Sequence, residues 1–412
     1  MKSHTVNNQC RICRSHNLVK FLDLGEQSLA NSFLHKDNLA IPEPKYPLAV
    51  FFCADCGLSQ LVDIVSPEIL FRDYVYFSSG MPSSPHFKRY ADEVADRFIS
   101  SPQDLVVEIG SNDGHLLREF KERGARILGV DPARNIAARA NENGIPTIPE
   151  FFTETLARDI AQEHGHARVI IGNNVVAHID DHHDLVRGVS ALLAPSGVFI
   201  FEAPYLVDMF ENLTFDTVYH EHMSYLSVRP LMHLFAQYGM EIFDAKTVAS
   251  QGNSLRVFAC KKGMRGVDQG VQVLVQKELE MGLDTIDAYH DLARKVGELK
   301  KEVISVVSDF KRQGKRIAGY GAPAKGNTLL NYFGMGPEML SYATESLPSK
   351  IGLHTPGMHI PVVDIEEARK NPPDYYVMLA WNYKDVILQK EAKFLEQGGK
   401  FIMPVGSTRI VS

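Results

Sequence analysis

Four of the five cysteines stand in two Cys-x-x-Cys pairs, Cys10 with Cys13 and Cys53 with Cys56. A turn of that spacing aims two thiolates at one ion, and two such turns complete a tetrahedral set. Zinc is the expected metal, and four protein ligands leave it no open position, so its expected role is structural. The chain starts without a secretory apolar core, so a disulfide framework is not expected, and a redox pair needs no second copy. Cys260, closing the apolar run Leu255-Arg-Val-Phe-Ala, reads as a small core residue.

A second candidate is the loop Glu108-Ile-Gly110-Ser-Asn112-Asp-Gly114, which continues the strand-like run Leu105-Val-Val. It lacks the middle glycine of the dinucleotide fingerprint, and Glu108 would repel a pyrophosphate. An acidic loop suits a cation, and S-adenosyl-L-methionine carries both a sulfonium and an ammonium. Asp131 ends the next strand-like run, where a carboxylate can accept both ribose hydroxyls. Asn112 and Asn173 complete the expected cofactor contacts. The competing reading is an ordinary α/β turn with incidental acids.

The segment Tyr219-His220-Glu221-His222 offers two imidazoles, a carboxylate and a phenol. Histidine titrates near neutral pH and suits general-base work. An extended backbone would put Tyr219 and Glu221 on one face and the histidines on the other, and a turn would relax that. Metal binding by His-x-His has no evident third ligand. His178 follows Asn173 and Asn174, at the strand end where open α/β sheets bind ligands. His182 and His183, beside Asp180, Asp181 and Asp184, read as a solvated helix start.

A second glycine loop, Gly319-Tyr-Gly321-Ala-Pro-Ala-Lys325-Gly-Asn327, is basic and small, and a helix follows it. Phosphates suit such a helix start with a lysine. The glycine pair with Glu345 also resembles a nicotinamide site, so an alternative is a nucleotide-sugar oxidoreductase or a bifunctional enzyme using NAD(P).

These groups need elements to hold them. The 412 residues suffice for two or three domains, and the net charge of −7 argues against a nucleic-acid partner. No apolar run is long enough to span a membrane, and a cytoplasmic monomer is expected. The fold class is α/β, in three stretches. Residues 1–74 carry the cysteines. Residues 75–264 alternate strand-like runs with helical patterns, as a parallel sheet covered by helices requires. Residues 265–412 open on an apolar stripe from Leu283 through Val296 to Phe310, which is one long helix, and then resume the alternation.

Several of these segments occur together in the sugar C-methyltransferase family, which the chain resembles over almost its whole length. They are the cysteine pairs, Val107-Glu-Ile-Gly-Ser-Asn-Asp-Gly114, Tyr219-His-Glu-His222, Gly319-Tyr-Gly-Ala-Pro-Ala-Lys325 and Thr355-Pro-Gly-Met-His-Ile-Pro361. The resemblance implies an N-terminal zinc-binding domain, a central Rossmann-like methyltransferase domain and a C-terminal Rossmann-like domain that holds the substrate's nucleotide. It implies methylation of a nucleotide-linked 4-keto-deoxysugar at C3, with C5 equally activated and left open. It also implies that His222 is the base, that Glu221 and Tyr219 line the sugar pocket, and that His178 and Tyr76 sit near the reacting sugar. Tyr74, Tyr205, Gly321, Lys325, Asn327 and Glu345 are the further substrate contacts expected on that footing. One departure stands out: Gln251-Gly252-Asn253 occupies the place of a His-Gly-Gly element, and glutamine cannot act as a base.

Overall fold

The computed structural model describes residues 3–72, 85–249 and 253–412. The chain folds into two compact units: residues 1–19, 51–206 and 223–286 form the first, and 20–50, 207–222 and 287–412 the second. Both are layered α/β structures.

The first unit holds a seven-stranded sheet in the order Met240–Ala249, Asn253–Lys261, Leu193–Pro204, Ala167–Ile171, Leu105–Ile109, Arg126–Val130, Thr147–Ile148. The last five are parallel and the first two form an antiparallel edge. Leu105–Ile109 is buried along its whole length, as a central parallel strand covered on both faces must be. Helix His115–Glu122 turns Leu116, Leu117 and Phe120 onto the sheet, in a core shared with Val106, Val169 and Cys260. The parallel strands end at one edge, where open α/β folds place their ligand-binding loops. Glu108, Asp131, Asn173 and Glu202 all stand at or just past those ends.

The second unit contains a six-stranded sheet ordered Val362–Asp364, Ala343–Glu345, Ile317–Tyr320, Tyr375–Met378, Lys400–Met403, Arg409–Val411. All neighbours pair in parallel except the last two. The apolar stripe read from sequence is the helix Ile286–Arg312, which buries Tyr289, Leu292, Val296, Leu299, Val303 and Val307. Phe310, near its end, stacks on Tyr375 with ring centroids 4.0 Å apart, which ties the helix to the sheet. Among the described residues no helix is long and apolar enough to cross a membrane.

Candidate functional site

The two cysteine turns are built alike. The Arg14 N–H donates to the Cys10 carbonyl at 2.9 Å and the Gly57 N–H to the Cys53 carbonyl at 2.8 Å, so each turn closes over its pair. All four sulfurs lie within 4.8 Å of one another, with Cys10–Cys56 at 3.5 Å and Cys13–Cys53 at 3.4 Å. Four sulfurs about 2.3 Å from one ion stand roughly 3.8 Å apart, so the cluster fits zinc. Hydrogen bonding to Cys53 pushes Cys10 up to about 12, while hydrogen bonds from Cys10 and Cys56 draw Cys53 down to about 2.

At the sheet edge of the first unit, Glu108 is buried and its Oε2 has no hydrogen-bond partner among the described residues. Burial, reinforced by the charge of Asp131, raises its carboxyl well above the usual range. Burial also raises Asp131, although the backbone N–H groups of Ala133 at 2.9 Å and Asn112 at 2.8 Å donate to it. Asp113 is buried beside them and its charge pushes Asp131 the same way. The charges acting on Glu108 and Asp131 are therefore those of other acids, and a cationic ligand relieves them. The loop's own path requires glycine at two positions. Gly110 and Gly114 have φ of 67° and 78°, and a Cβ would come within 2.1 Å of Val175 at the first and 2.6 Å of Ile145 at the second. The residues present fit S-adenosyl-L-methionine.

Asn173 accepts the Glu202 N–H at 2.9 Å, and this leads to a network the sequence reading missed. Glu202 is buried between the Arg256 guanidinium, whose Nε donates at 2.7 Å, and the His86 ring at 2.9 Å. Its position at a strand end, like that of Asp131, was the available signal. His178 is half-buried and stacks on Phe71 at 5.7 Å, and burial lowers it to about 4, so its imidazole is neutral at neutral pH. His182 and His183 do not lie in a solvated helix start as expected. Asp181 does cap that helix, accepting the Asp184 N–H at 2.9 Å, but both rings are buried and burial lowers His182 to about 3. The helix turns this end inward, toward Arg11 and Tyr238. The Tyr205 hydroxyl donates to Glu278 at 2.8 Å, and Glu278 also accepts the Val228 N–H at 2.7 Å, so this phenol ties a helix start in place.

In the second unit, Tyr219–His222 forms a turn closed by the His222 N–H on the Tyr219 carbonyl at 2.8 Å. The turn sorts the side chains differently from an extended strand. His220 faces the Tyr46 and Pro47 carbonyls at 3.2 and 3.3 Å, whereas the Tyr219 and His222 rings meet with centroids 4.0 Å apart. His222 Nδ1 lies 2.6 Å from the Thr217 carbonyl, which can only accept, so Nδ1 carries the proton. Nε2 then presents its lone pair and accepts the Tyr219 hydroxyl at 2.8 Å. Glu221 is buried and accepts from the Asn31 side-chain amide at 2.6 Å.

The second glycine loop lies in the same unit. Its Gly321 N–H donates to Thr344 at 3.0 Å. Lys325 sits 4.4 Å from the Trp381 ring, and burial lowers it against the charges of Asp216 and Asp208. Asn327 is buried and donates to the Ala30 carbonyl at 2.7 Å. Glu345 accepts the Ser346 and Leu347 N–H groups and lies 3.7 Å from Lys350, a second half-buried lysine that the sequence did not single out. Tyr74, Tyr76, Gln251 and Gly252 lie outside the described residues.

Residues 249–406 match a family model described as the C-methyltransferase C-terminal domain, 85–245 a methyltransferase domain and 10–71 a zinc binding domain. Over 98% of its length the chain is 38% identical to the C-methyltransferase NovU of Streptomyces niveus, covering 97% of that protein. A shorter match spans 98 residues, 23% of this chain and 38% of the relative: the ubiquinone biosynthesis O-methyltransferase of Methylobacterium sp. (strain 4-46), at 31% identity. Among solved structures, a SAM-dependent methyltransferase from Anabaena variabilis aligns with 44% of this chain and 86% of its own, at 14% identity and a TM-score of 0.35.

Proposed function

We propose, from the premise that this chain belongs to the C-methyltransferase family, that it methylates a carbon beside the ketone of a nucleotide-linked 4-keto-deoxysugar. That it is an S-adenosyl-L-methionine-dependent C-methyltransferase follows from the family; the sugar, the carbon and the base are our reading. C3 is the favoured carbon and C5 the alternative, since both flank a C4 ketone. S-adenosyl-L-methionine, when bound, supplies an electrophilic methyl group.

The chain's own residues must make the sugar carbon nucleophilic. The observation that carries this is the fixed tautomer of His222, whose Nε2 lone pair meets the Tyr219 hydroxyl while Nδ1 is held by Thr217. A base so oriented can take the α-proton at Nε2 once the substrate displaces that hydroxyl, or through it. The Thr217 carbonyl steadies the imidazolium that forms. Glu221 and Tyr219 are then sugar contacts of the same turn. His178, neutral at the working pH, is suited to give a hydrogen bond to a developing enolate oxygen rather than to carry charge. Lys325 and the Gly319–Gly321 loop are the proposed anchor for the diphosphate, with Glu345 and Asn327 beside them.

Proton removal and methyl transfer are separable steps. With adenosylhomocysteine in place of the methyl donor, heavy water should exchange the hydrogen on the carbon destined for methylation. His222→Gln retains size and polarity without a basic nitrogen, and should lose both exchange and methylation by about 10²–10⁴-fold. Wild-type exchange in that variant would move the base to another residue, and His178 is the next to test.

A further inference from the structure

The segment Ala30–Glu43 lies between the two cysteine pairs, in the part of the chain matched by the zinc binding model, yet it belongs to the second unit and is pinned there at several points. At its start, the buried Asn327 amide holds the Ala30 carbonyl at 2.7 Å. Leu34 and His354 exchange two backbone hydrogen bonds, at 3.0 and 2.8 Å. At its end, Glu43 accepts the Gly357 N–H at 2.9 Å and lies 2.6 Å from the His359 ring. Both partners belong to Thr355–Pro361, a motif that no step of the reaction uses. Phe33, between the pins, lies 4.9 Å from the Lys350 ammonium. A segment fixed this often costs backbone entropy that its own few buried side chains return poorly. It must hold something else in place.

Asn31 is the residue it presents. Its Nδ2 donates to Glu221 Oε1 at 2.6 Å, a charge-assisted bond between residues 190 positions apart. We propose that Asn31 is a positioning residue for methyl transfer, fixing the Glu221 carboxylate and with it the Tyr219–His222 turn. The inference rests on the reading that this turn carries the chemistry. The amide does not touch the proton being moved. It restricts where Glu221 points, and the pins at Ala30, Leu34 and Glu43 restrict where the amide points. Thr355–Pro361 thereby acquires a role as the outer anchor of the segment.

The test uses the full chain with its zinc, S-adenosyl-L-methionine, and 4-keto-6-deoxyglucose linked to thymidine diphosphate, or to whichever of guanosine, cytidine and uridine diphosphate the wild type methylates. Asn31→Ala should lower kcat roughly tenfold with KM changed less than about twofold, since the charge-assisted bond that is lost is to Glu221 and not to the proposed diphosphate anchor. Asn31→Asp, of the same size, sets a second carboxylate against Glu221 and should lose more. Asn31→Gln retains the donor and should recover part of the loss, which a merely structural role would not produce. Adding Asn31→Ala to Glu221→Ala should cost nothing further. Unchanged kcat in both Asn31→Ala and Asn31→Asp, or losses that simply multiply with Glu221→Ala, would overturn the positioning role. Wild-type kcat in Glu221→Ala itself would instead remove the reading of the turn on which the inference rests. If Asn31→Ala does not fold, the isosteric Asn31→Asp and the donor-retaining Asn31→Gln carry the test alone.

Discussion

The two glycine loops share a plan and differ in sign. Each follows a parallel strand, carries glycines at the bend and leads into a helix, His115–Glu122 in the first unit and Ala324–Phe333 in the second. Around the first, Glu108, Asp113 and Asp131 are all buried, the charge of Asp131 helps raise Glu108 and that of Asp113 helps raise Asp131. Around the second, burial lowers Lys325 and Lys350, and nearby acids oppose that lowering. A strand–loop–helix turn thus offers backbone geometry to any ligand, and the buried charges select which. On the reading proposed above, the acidic loop takes the sulfonium cofactor and the basic one the diphosphate, so one architecture would serve the two unlike ligands of a methyl transfer.

The largest effect we expect falls on the first unit as a whole. Replacing Cys13 and Cys56 together by serine should take zinc from one equivalent per chain to none and lower the unit's melting temperature, because a structural zinc contributes directly to folding. Metal analysis with calorimetry checks this, and zinc retained in the double variant would overturn the ligand set. Next comes the acidic loop. Asp131→Ala removes a carboxylate that can accept ribose hydroxyls and that also receives the Asn112 and Ala133 N–H groups. With charge-assisted bonds worth roughly 1.5–3 kcal/mol each, adenosylhomocysteine should bind at least tenfold more weakly by titration calorimetry. A smaller loss is expected at the basic loop. Lys325→Ala should raise the KM for the sugar nucleotide by up to about tenfold and leave adenosylhomocysteine affinity unchanged. The reverse pattern would mean the two loops have exchanged ligands.

What the sequence disclosed about this contrast was local. Cys-x-x-Cys spacing, an acid–glycine loop after a β-branched run, and an apolar stripe at helical steps are each set by a few neighbouring residues, and the structure contains all three elements. Long-range partners were not readable. Nothing near Asn31 announces Glu221, nothing near Asn327 points to Ala30, 297 positions away, and nothing near Tyr205 points to Glu278. His182 and His183 failed for a related reason. Flanking aspartates do mark a helix start, but exposure depends on what packs over it, and here Asp181 caps the helix while the rings turn inward.

The pH dependence of stability distinguishes the acids of the two loops most finely. Asp216 is fully buried in the second unit, accepts the Trp381 indole N–H at 2.6 Å, and is raised to about 6 by burial even though Lys325 and Trp381 both pull it down. A folded-state value above the unfolded one means that the native protein keeps this proton to higher pH than the unfolded chain does. Stability from this group is therefore full below the ordinary carboxyl range, falls as pH rises from about 4 to about 6, and is flat above that. A shift of about two pKa units bounds the loss at about 3 kcal/mol. Asp216→Asn retains an oxygen to accept the Trp381 N–H but cannot titrate, so the variant should lose this part of the slope. It should gain less than the bound near neutral pH, because Lys325 loses a counter-charge. Chemical denaturation at pH 4, 5, 6 and 7 reads the difference directly: variant minus wild type should rise up to about pH 6 and then level. Identical slopes in the two proteins would show that Asp216 is not protonated on folding, and that the acid beside the basic loop is held ionised by Lys325 after all.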